Sequence, residues 1–368
     1  MADFFRAIGR RIFNHLREAQ LYPALFRSGP RIAVLPWSTR EASSLLRGYN
    51  IAEALNSRGW NAIVLPKQIT LSQRRRVLRL FHPQVALLLK SRHPDNTGDL
   101  LTGIPYLYDL DDADFHSDRI RDRMERDVAQ AAGVIAGSHY IAAWCRQHNP
   151  ATSVIWTGTP DRLSPAPPQA GRPPVVTWAQ SAPFRYVREL AFVTDVLHDL
   201  GRTDFIFRLY GCTPKDSDHP HIQKLRARGI TVQMQPLMPY DAFLASLEDV
   251  AVGLCPLIPD SPFSRGKSFG KVLAYIHAGV PVIASDQADH SRFFTDSSGI
   301  VSDDPDIWRR GISELLEDPV RRGAMATEAY DRFVRDLTTE AATTQVEALA
   351  RQILDSPPAP QKAAESIS

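Results

Sequence analysis

LEDVAVGLCPLIPDSPFSRGKSFGKVLAYIHAGVPVIASD, residues 247–286, decides how this chain folds. VAVGLCPL is a near-continuous apolar run of strand length, and a loop rich in Pro and Ser follows it. A helix is expected to open near Ser268 and to stop at Gly279, and VPVIASD reads as a second buried strand. Strand, loop, helix and strand in this order make one unit of a parallel sheet covered on both faces. The helix start offers unpaired amide N–H groups and the positive end of the peptide dipoles. Arg265 and Lys267 stand at that start, with Lys271 one turn inside. The chain has only seven lysines, and two of them lie four residues apart here. Three cations at a helix start suit a diphosphate, and a cation there neutralises a phosphate leaving group. The plainer alternative is a solvated helix start. Gly266-Lys267-Ser268 also invites a P-loop reading, but Ser261 stands where that loop needs glycine. Pro262 and Phe263 would further obstruct its run of N–H groups.

The same alternation extends in both directions. RIAVLPW, NAIVLP, VALLLK, GIPYLYDL and GVIAGS are expected strands between residues 31 and 138, with helices between them. VVTWAQS, FIFRLYG and TVQMQP begin a second unit at residue 175, which the opening window continues. Six prolines fall between Trp156 and Pro174, a linker that neither helix nor ladder can cross. The reading is α/β: two doubly wound Rossmann-like domains facing each other across a cleft, where ligands bind at the carboxyl ends of strands. The expected domains are an N-terminal helix at 1–28, an N-terminal domain at 29–158 and the linker at 159–174. A C-terminal domain at 175–322, helices at 323–354 packing back towards the N-terminal domain, and a disordered tail at 355–368 complete the chain.

Composition narrows the classes. The 368 residues are 43% hydrophobic and 23% charged, a globular balance. No run of 18 apolar residues occurs, and no leader of secretory type opens the chain. Three distant cysteines argue against a disulfide framework and suit a reducing cytoplasm. The net charge of +2 conceals a split: residues 1–92 carry 16 Lys and Arg against 4 Asp and Glu. Such segregation points to an anionic partner. In MADFFRAIGRRIFNHLREAQ, the residues Phe4, Phe5, Ile8, Ile12 and Leu16 share one helical face, with Arg6, Arg10 and Arg17 opposite. That helix either lies in a membrane interface or docks on its own domain. No helix-turn-helix or RNA-binding signature accompanies the basic region, so nucleic acid is not an expected partner.

Asp109, Asp111, Asp112 and Asp114 form a dense acidic cluster at the end of YLYDL. Asp112, with His116 nearby, is the candidate to orient an acceptor hydroxyl or take up its proton. A cap or a hard-cation site remains the alternative. His219 and His221 lie in a polar stretch and read as surface residues.

VAVGLCPL, PFSRGKSFGKVLAY and AGVPVIAS together resemble the C-terminal domain of GT-B glycosyltransferases of the family 4 type. RLYG at 208–211, YLYDLDDADF at 106–115, GVIAGSHYIAAWC and VIWTGTP extend the resemblance over roughly residues 31–350. It implies transfer of a sugar from a nucleotide-sugar to a glycan or lipid-linked acceptor, with retention and without a metal or other cofactor. Arg265, Lys267 and Lys271 would then face the donor diphosphate, assisted by Ser268, with Gly211 near the nucleotide and Arg185 reaching a phosphate. Ser44 and Arg47 lie where related enzymes face the acceptor, although the helix could need them only for solvation. A cytoplasmic enzyme peripheral on an inner membrane, building a bacterial surface glycan, is the expected setting. Two departures stand out. The family's ribose-binding glutamate is Ala274, and the glutamate eight positions earlier is Gly266. A GT-B domain that binds without turning over is therefore the alternative.

Overall fold

The computed structural model describes residues 12–39 and 42–356, apart from the side chains of Phe263 and Lys271. Two six-stranded parallel sheets organise it. The N-terminal sheet comprises β1 (Arg31–Leu35), β2 (Asn61–Val64), β3 (Val85–Leu89), β4 (Tyr106–Leu110), β5 (Gly133–Ala136) and β6 (Thr152–Val154), in the order β2-β1-β3-β4-β5-β6. The C-terminal sheet comprises β7 (Val175–Trp178), β8 (Ile206–Tyr210), β9 (Thr231–Gln235), β10 (Val252–Cys255), β11 (Val282–Ala284) and β12 (Ile300–Val301), in the order β12-β11-β10-β7-β8-β9. Every ladder is parallel, and helices cover both faces. This explains strands such as VALLL, in which all five residues are buried. The strand order reverses between β1 and β3 in one sheet and between β7 and β10 in the other, and a crevice opens at each reversal.

Local chemistry sets the helix boundaries. Thr70 caps the Leu71–Phe81 helix and Gln73 returns the bond to the Thr70 amide, a capping box. The window at 247–286 differs from expectation in one detail. A short turn of helix, Pro262–Arg265, precedes the main helix, which opens at Gly270. Arg265 therefore ends one helix and does not start the next. Phe269, fully buried, stacks on Trp156 at 5.4 Å and anchors the start of the Gly270–His277 helix.

Several contacts bind the two domains. The Thr339–Asp355 helix returns to the N-terminal domain, where Glu347 accepts from Trp60 Nε1 at 3.0 Å and pairs with Arg58 at 3.2 Å. Asp289 Oδ2 accepts from the His139 amide and from Trp156 Nε1, each at 2.9 Å. Of the expected tail at 355–368, Asp355 still closes the last helix, and residues 357–368, like the first eleven, lie outside the described residues. Among the described residues no helix is long and apolar enough to cross a membrane.

Candidate functional site

The carboxyl ends of the strands in the two sheets meet at one place. Asp112, just beyond β4, forms an isolated antiparallel bridge with Lys267, in the loop after β10. Lys267 Nζ lies 3.5 Å from Asp112 Oδ1 and 5.7 Å from the centre of the Tyr186 ring. Gly266 makes this approach possible, because a Cβ there would overlap the methyl group of Ala113. Gly137 presses on the same junction, with a Cβ position 3.1 Å from Ser268 Cβ. Arg265 is exposed and holds its guanidinium 5.0 Å above the Tyr140 ring of the N-terminal domain. Four of the expected residues (Asp112, Arg265, Lys267 and Ser268) thus gather at the interdomain junction, with His116 beside them.

Asp112 sits in an electrostatic network that the sequence did not disclose. Lys90 is buried at the end of β3, and its Nζ reaches Asp111 at 2.6 Å and Asp112 at 2.8 Å. Arg92 pairs with Asp112 at 3.3 Å and also with Asp114. Burial acts to raise the Asp112 pKa, but Lys90, then Lys267 and Arg92, outweigh it and hold the carboxyl far below the ordinary carboxylate range. Asp112 is an ion-paired carboxylate in this arrangement, and taking up a proton would require Lys90, Lys267 or Arg92 to leave it. Lys90 is pushed the opposite way: burial opposes its charge, yet Asp111 and Asp112 keep it an ammonium.

His116 stands beside this network. It is exposed, and Nε2 lies 3.0 Å from the Tyr140 hydroxyl. Burial, then Arg121 and Arg265, lower its pKa, so the imidazole is neutral at pH 7. Trp37, beyond the end of β1, faces the same crevice with Arg92 5.0 Å above its ring and Lys90 at 5.9 Å. Lys90, Arg92 and Trp37 were missed. A rare lysine and a tryptophan, each ending a strand, were the available signals.

The acceptor-side expectations do not hold geometrically. Ser44 is fully buried, and its Oγ accepts from the Ser38 amide at 3.1 Å. Arg47 is buried as well, because one turn of π-helix at Leu45–Tyr49 directs it inward. Its guanidinium grips Asp109 with bonds of 2.7 and 2.8 Å and donates to the Ile155 carbonyl and Thr157 Oγ1. Both residues build the crevice wall from behind. Spacing along a helix could not distinguish that from facing the cleft.

On the donor side, Arg185 is exposed at the end of the 3₁₀ turn Pro183–Arg185, which follows β7. Gly211 ends the turn after β8 with φ +77°, where a Cβ would strike the Gln180 carbonyl oxygen. It shapes the β7 loop through backbone contact. Lys271 is the second residue of the Gly270–His277 helix; its side chain lies outside the described residues. Ser268 Oγ accepts from the Gly270 amide at 3.4 Å, close to the limit for such a bond. Ser264 Oγ donates to Glu189 at 2.7 Å, tying the β10 loop to the helix after β7. Ala274 is buried among apolar side chains, so no carboxylate projects from that turn.

Residues 203–348 match the family model described as glycosyl transferase-like. No curated protein matches the chain. Among solved structures it resembles sucrose-phosphate synthase from Thermosynechococcus elongatus, with 14% identity and a TM-score of 0.63 over 89% of this chain and 99% of that one. It also resembles Anabaena HepE in complex with UDP and glucose, with 15% identity and a TM-score of 0.60 over 87% and 98%. A glycosyltransferase from Rickettsia africae matches with 10% identity and a TM-score of 0.63 over 90% and 100%. At these identities the likeness carries the fold.

Proposed function

We propose that this chain, with its GT-B fold and residues 203–348 matching the glycosyl transferase-like model, moves a sugar from a nucleotide-diphosphate donor to a glycan or lipid-linked acceptor. The observation carrying this reading is Lys267, held between the β10 loop and an N-terminal carboxylate at the mouth of the β7/β10 crevice. A diphosphate at the start of the Gly270–His277 helix meets the positive end of its peptide dipoles and the Lys267 and Arg265 charges. Asp112 occupies the anion position beside Lys267, and donor phosphate takes its place there. Uridine diphosphate is the first nucleotide to test, because HepE binds it in the same fold.

The acceptor enters the N-terminal crevice over Trp37, whose ring offers a stacking face to a sugar. His116, neutral and next to Tyr140, holds the incoming hydroxyl by donating a ring N–H to its oxygen. The hydroxyl's own proton passes to the departing phosphate oxygen as the new glycosidic bond forms and the sugar–phosphate bond breaks, and transfer proceeds with retention. The donor is a substrate, and the reading requires no cofactor. Inner-membrane glycan assembly in a bacterium is the setting proposed, with the enzyme peripheral on the cytoplasmic leaflet.

Turnover of UDP-, GDP-, dTDP- and CMP-sugars with a membrane lipid extract tests the reading. Lys267→Ala is expected to lower kcat about 100-fold or more, as loss of one charge-stabilising donor does. Unchanged turnover in that variant overturns the assignment. Nucleotide or glycan binding without any turnover favours the second reading, a binding subunit, for which Ala274 and Gly266 speak.

A further inference from the structure

The N-terminal helix packs in an inverted sense. Residues 12–19 are helical, and its carboxylate Glu18 is only 2% exposed. Gln73 Nε2 and the Tyr22 hydroxyl donate to Glu18 at 2.8 and 2.9 Å, and Arg76 lies 3.4 Å away. Meanwhile Ile12, Phe13 and Leu16 are 56%, 63% and 56% exposed. A helix docked only to complete its own domain buries the apolar side and solvates the charged one. Here a polar clasp holds the helix down and its apolar side chains face outward.

Two further apolar side chains extend the surface. Phe26 ends the 3₁₀ turn Tyr22–Phe26 and is 90% exposed, and Leu80 on the Leu71–Phe81 helix is 47% exposed. Arg31 donates to both the Leu25 and Phe81 carbonyls, which ties the Tyr22–Phe26 turn to the end of the Leu71–Phe81 helix. Exposed Arg27, Arg75, Arg76 and Arg79 border this face. The Leu71–Phe81 helix starts just after the carboxyl end of β2, so the face runs along the domain's flank from the cleft rim.

We propose that residues 12–26 and the outer side of the Leu71–Phe81 helix form a docking face for an anionic lipid bilayer. Ile12, Phe13, Leu16, Phe26 and Leu80 enter the interface, and the bordering arginines meet lipid phosphates. Charge complementarity selects this occupant, since residues 12–27 and 71–81 carry six arginines against one glutamate. The inference deepens the membrane setting of the proposed function, and its readout does not involve sugar transfer. Docked this way, the N-terminal domain sits against the bilayer in which a lipid-linked acceptor resides.

The test is co-sedimentation of the full chain with phosphatidylcholine vesicles, with and without phosphatidylglycerol. Binding is expected only with phosphatidylglycerol and should weaken at high salt. Phe13→Ser combined with Phe26→Ser should lower the bound fraction at least about tenfold. Both side chains are exposed, so circular dichroism and nucleotide affinity should match the parent. Equal binding to both vesicle types, or equal binding by the double variant, overturns the proposal. So does a parent dimer that the double variant converts to a monomer, because the face then belongs to a second copy. Loss of turnover with vesicle binding intact would fail the transferase reading alone.

Discussion

Gly266→Ala probes the junction on which the candidate site depends. Gly266 has φ −89° and ψ 17°, which alanine adopts without strain, so any effect comes from the added methyl. An ideal Cβ there would lie 1.9 Å from Ala113 Cβ, 3.1 Å from its Cα and 3.2 Å from Tyr140 Cε1. Carbon atoms attract only from about 3.5 Å, so the loops must part by roughly 1.6 Å. Asp112 and Lys267 are the adjacent residues, and their 3.5 Å separation would grow with that movement. Misplacement by about 1 Å costs catalysis on the order of 100-fold, and overpacking costs about 1–3 kcal/mol. We expect kcat/KM to fall about 100-fold while each domain's core stays folded. Ala113→Gly in the same chain removes the worst clash and leaves contacts of 3.1 and 3.2 Å, which small shifts absorb. Kinetics of the parent, both single variants and the double variant measure the coupling. If Gly266→Ala behaves as the parent, or Ala113→Gly fails to restore it, steric apposition of the domains is not the role of this glycine.

Two other outcomes follow from buried polar groups. His290 is fully buried with Nδ1 2.8 Å from the Ser285 carbonyl oxygen, which can only accept, so Nδ1 carries the proton of a neutral ring. Burial lowers its pKa from 6.5 to about 4, so stability is intact above pH 6.5 and is lost as pH falls towards 4. Between pH 7 and pH 5 this group accounts for a loss of about 2 kcal/mol. Urea unfolding of His290→Gln should show a correspondingly flatter pH dependence, and an unchanged slope refutes the assignment. Arg47→Ala leaves Asp109 buried without its guanidinium and should destabilise the fold by about 3–5 kcal/mol in thermal or urea unfolding. A stable variant with altered acceptor KM would return Arg47 to the cleft.

Much of the architecture was legible because parallel strands buried on both faces leave continuous apolar runs. β3, β4, β7, β8 and β10 all fall inside the expected stretches. The helix start was misplaced by two residues, because Pro262 nucleates a separate turn that periodicity does not register. At the site, Asp112, Lys267 and Ser268 were legible as charged or polar groups at strand ends and before a helix. Ser44 and Arg47 were misread because residues on one helix can face the cleft or the sheet, and a π-turn shifts which ones do. Lys90 and Arg92 went unnoticed because their significance lies in Asp111, Asp112 and Asp114, some twenty residues on.

The sequence by itself determined the two-domain α/β architecture, the cationic stretch at 265–271 and the charge split between the chain's ends. Those properties follow from local pattern and composition, which survive without coordinates. Only the tertiary structure decided that Asp112 is an ion-paired carboxylate, because its state depends on Lys90 and Arg92 from the loop after β3 and Lys267 from the loop after β10 converging on it. It also decided which way the N-terminal helix faces. Amphipathicity marks two sides of a helix, and the Glu18 clasp to Gln73 and Tyr22 turns the apolar one outward.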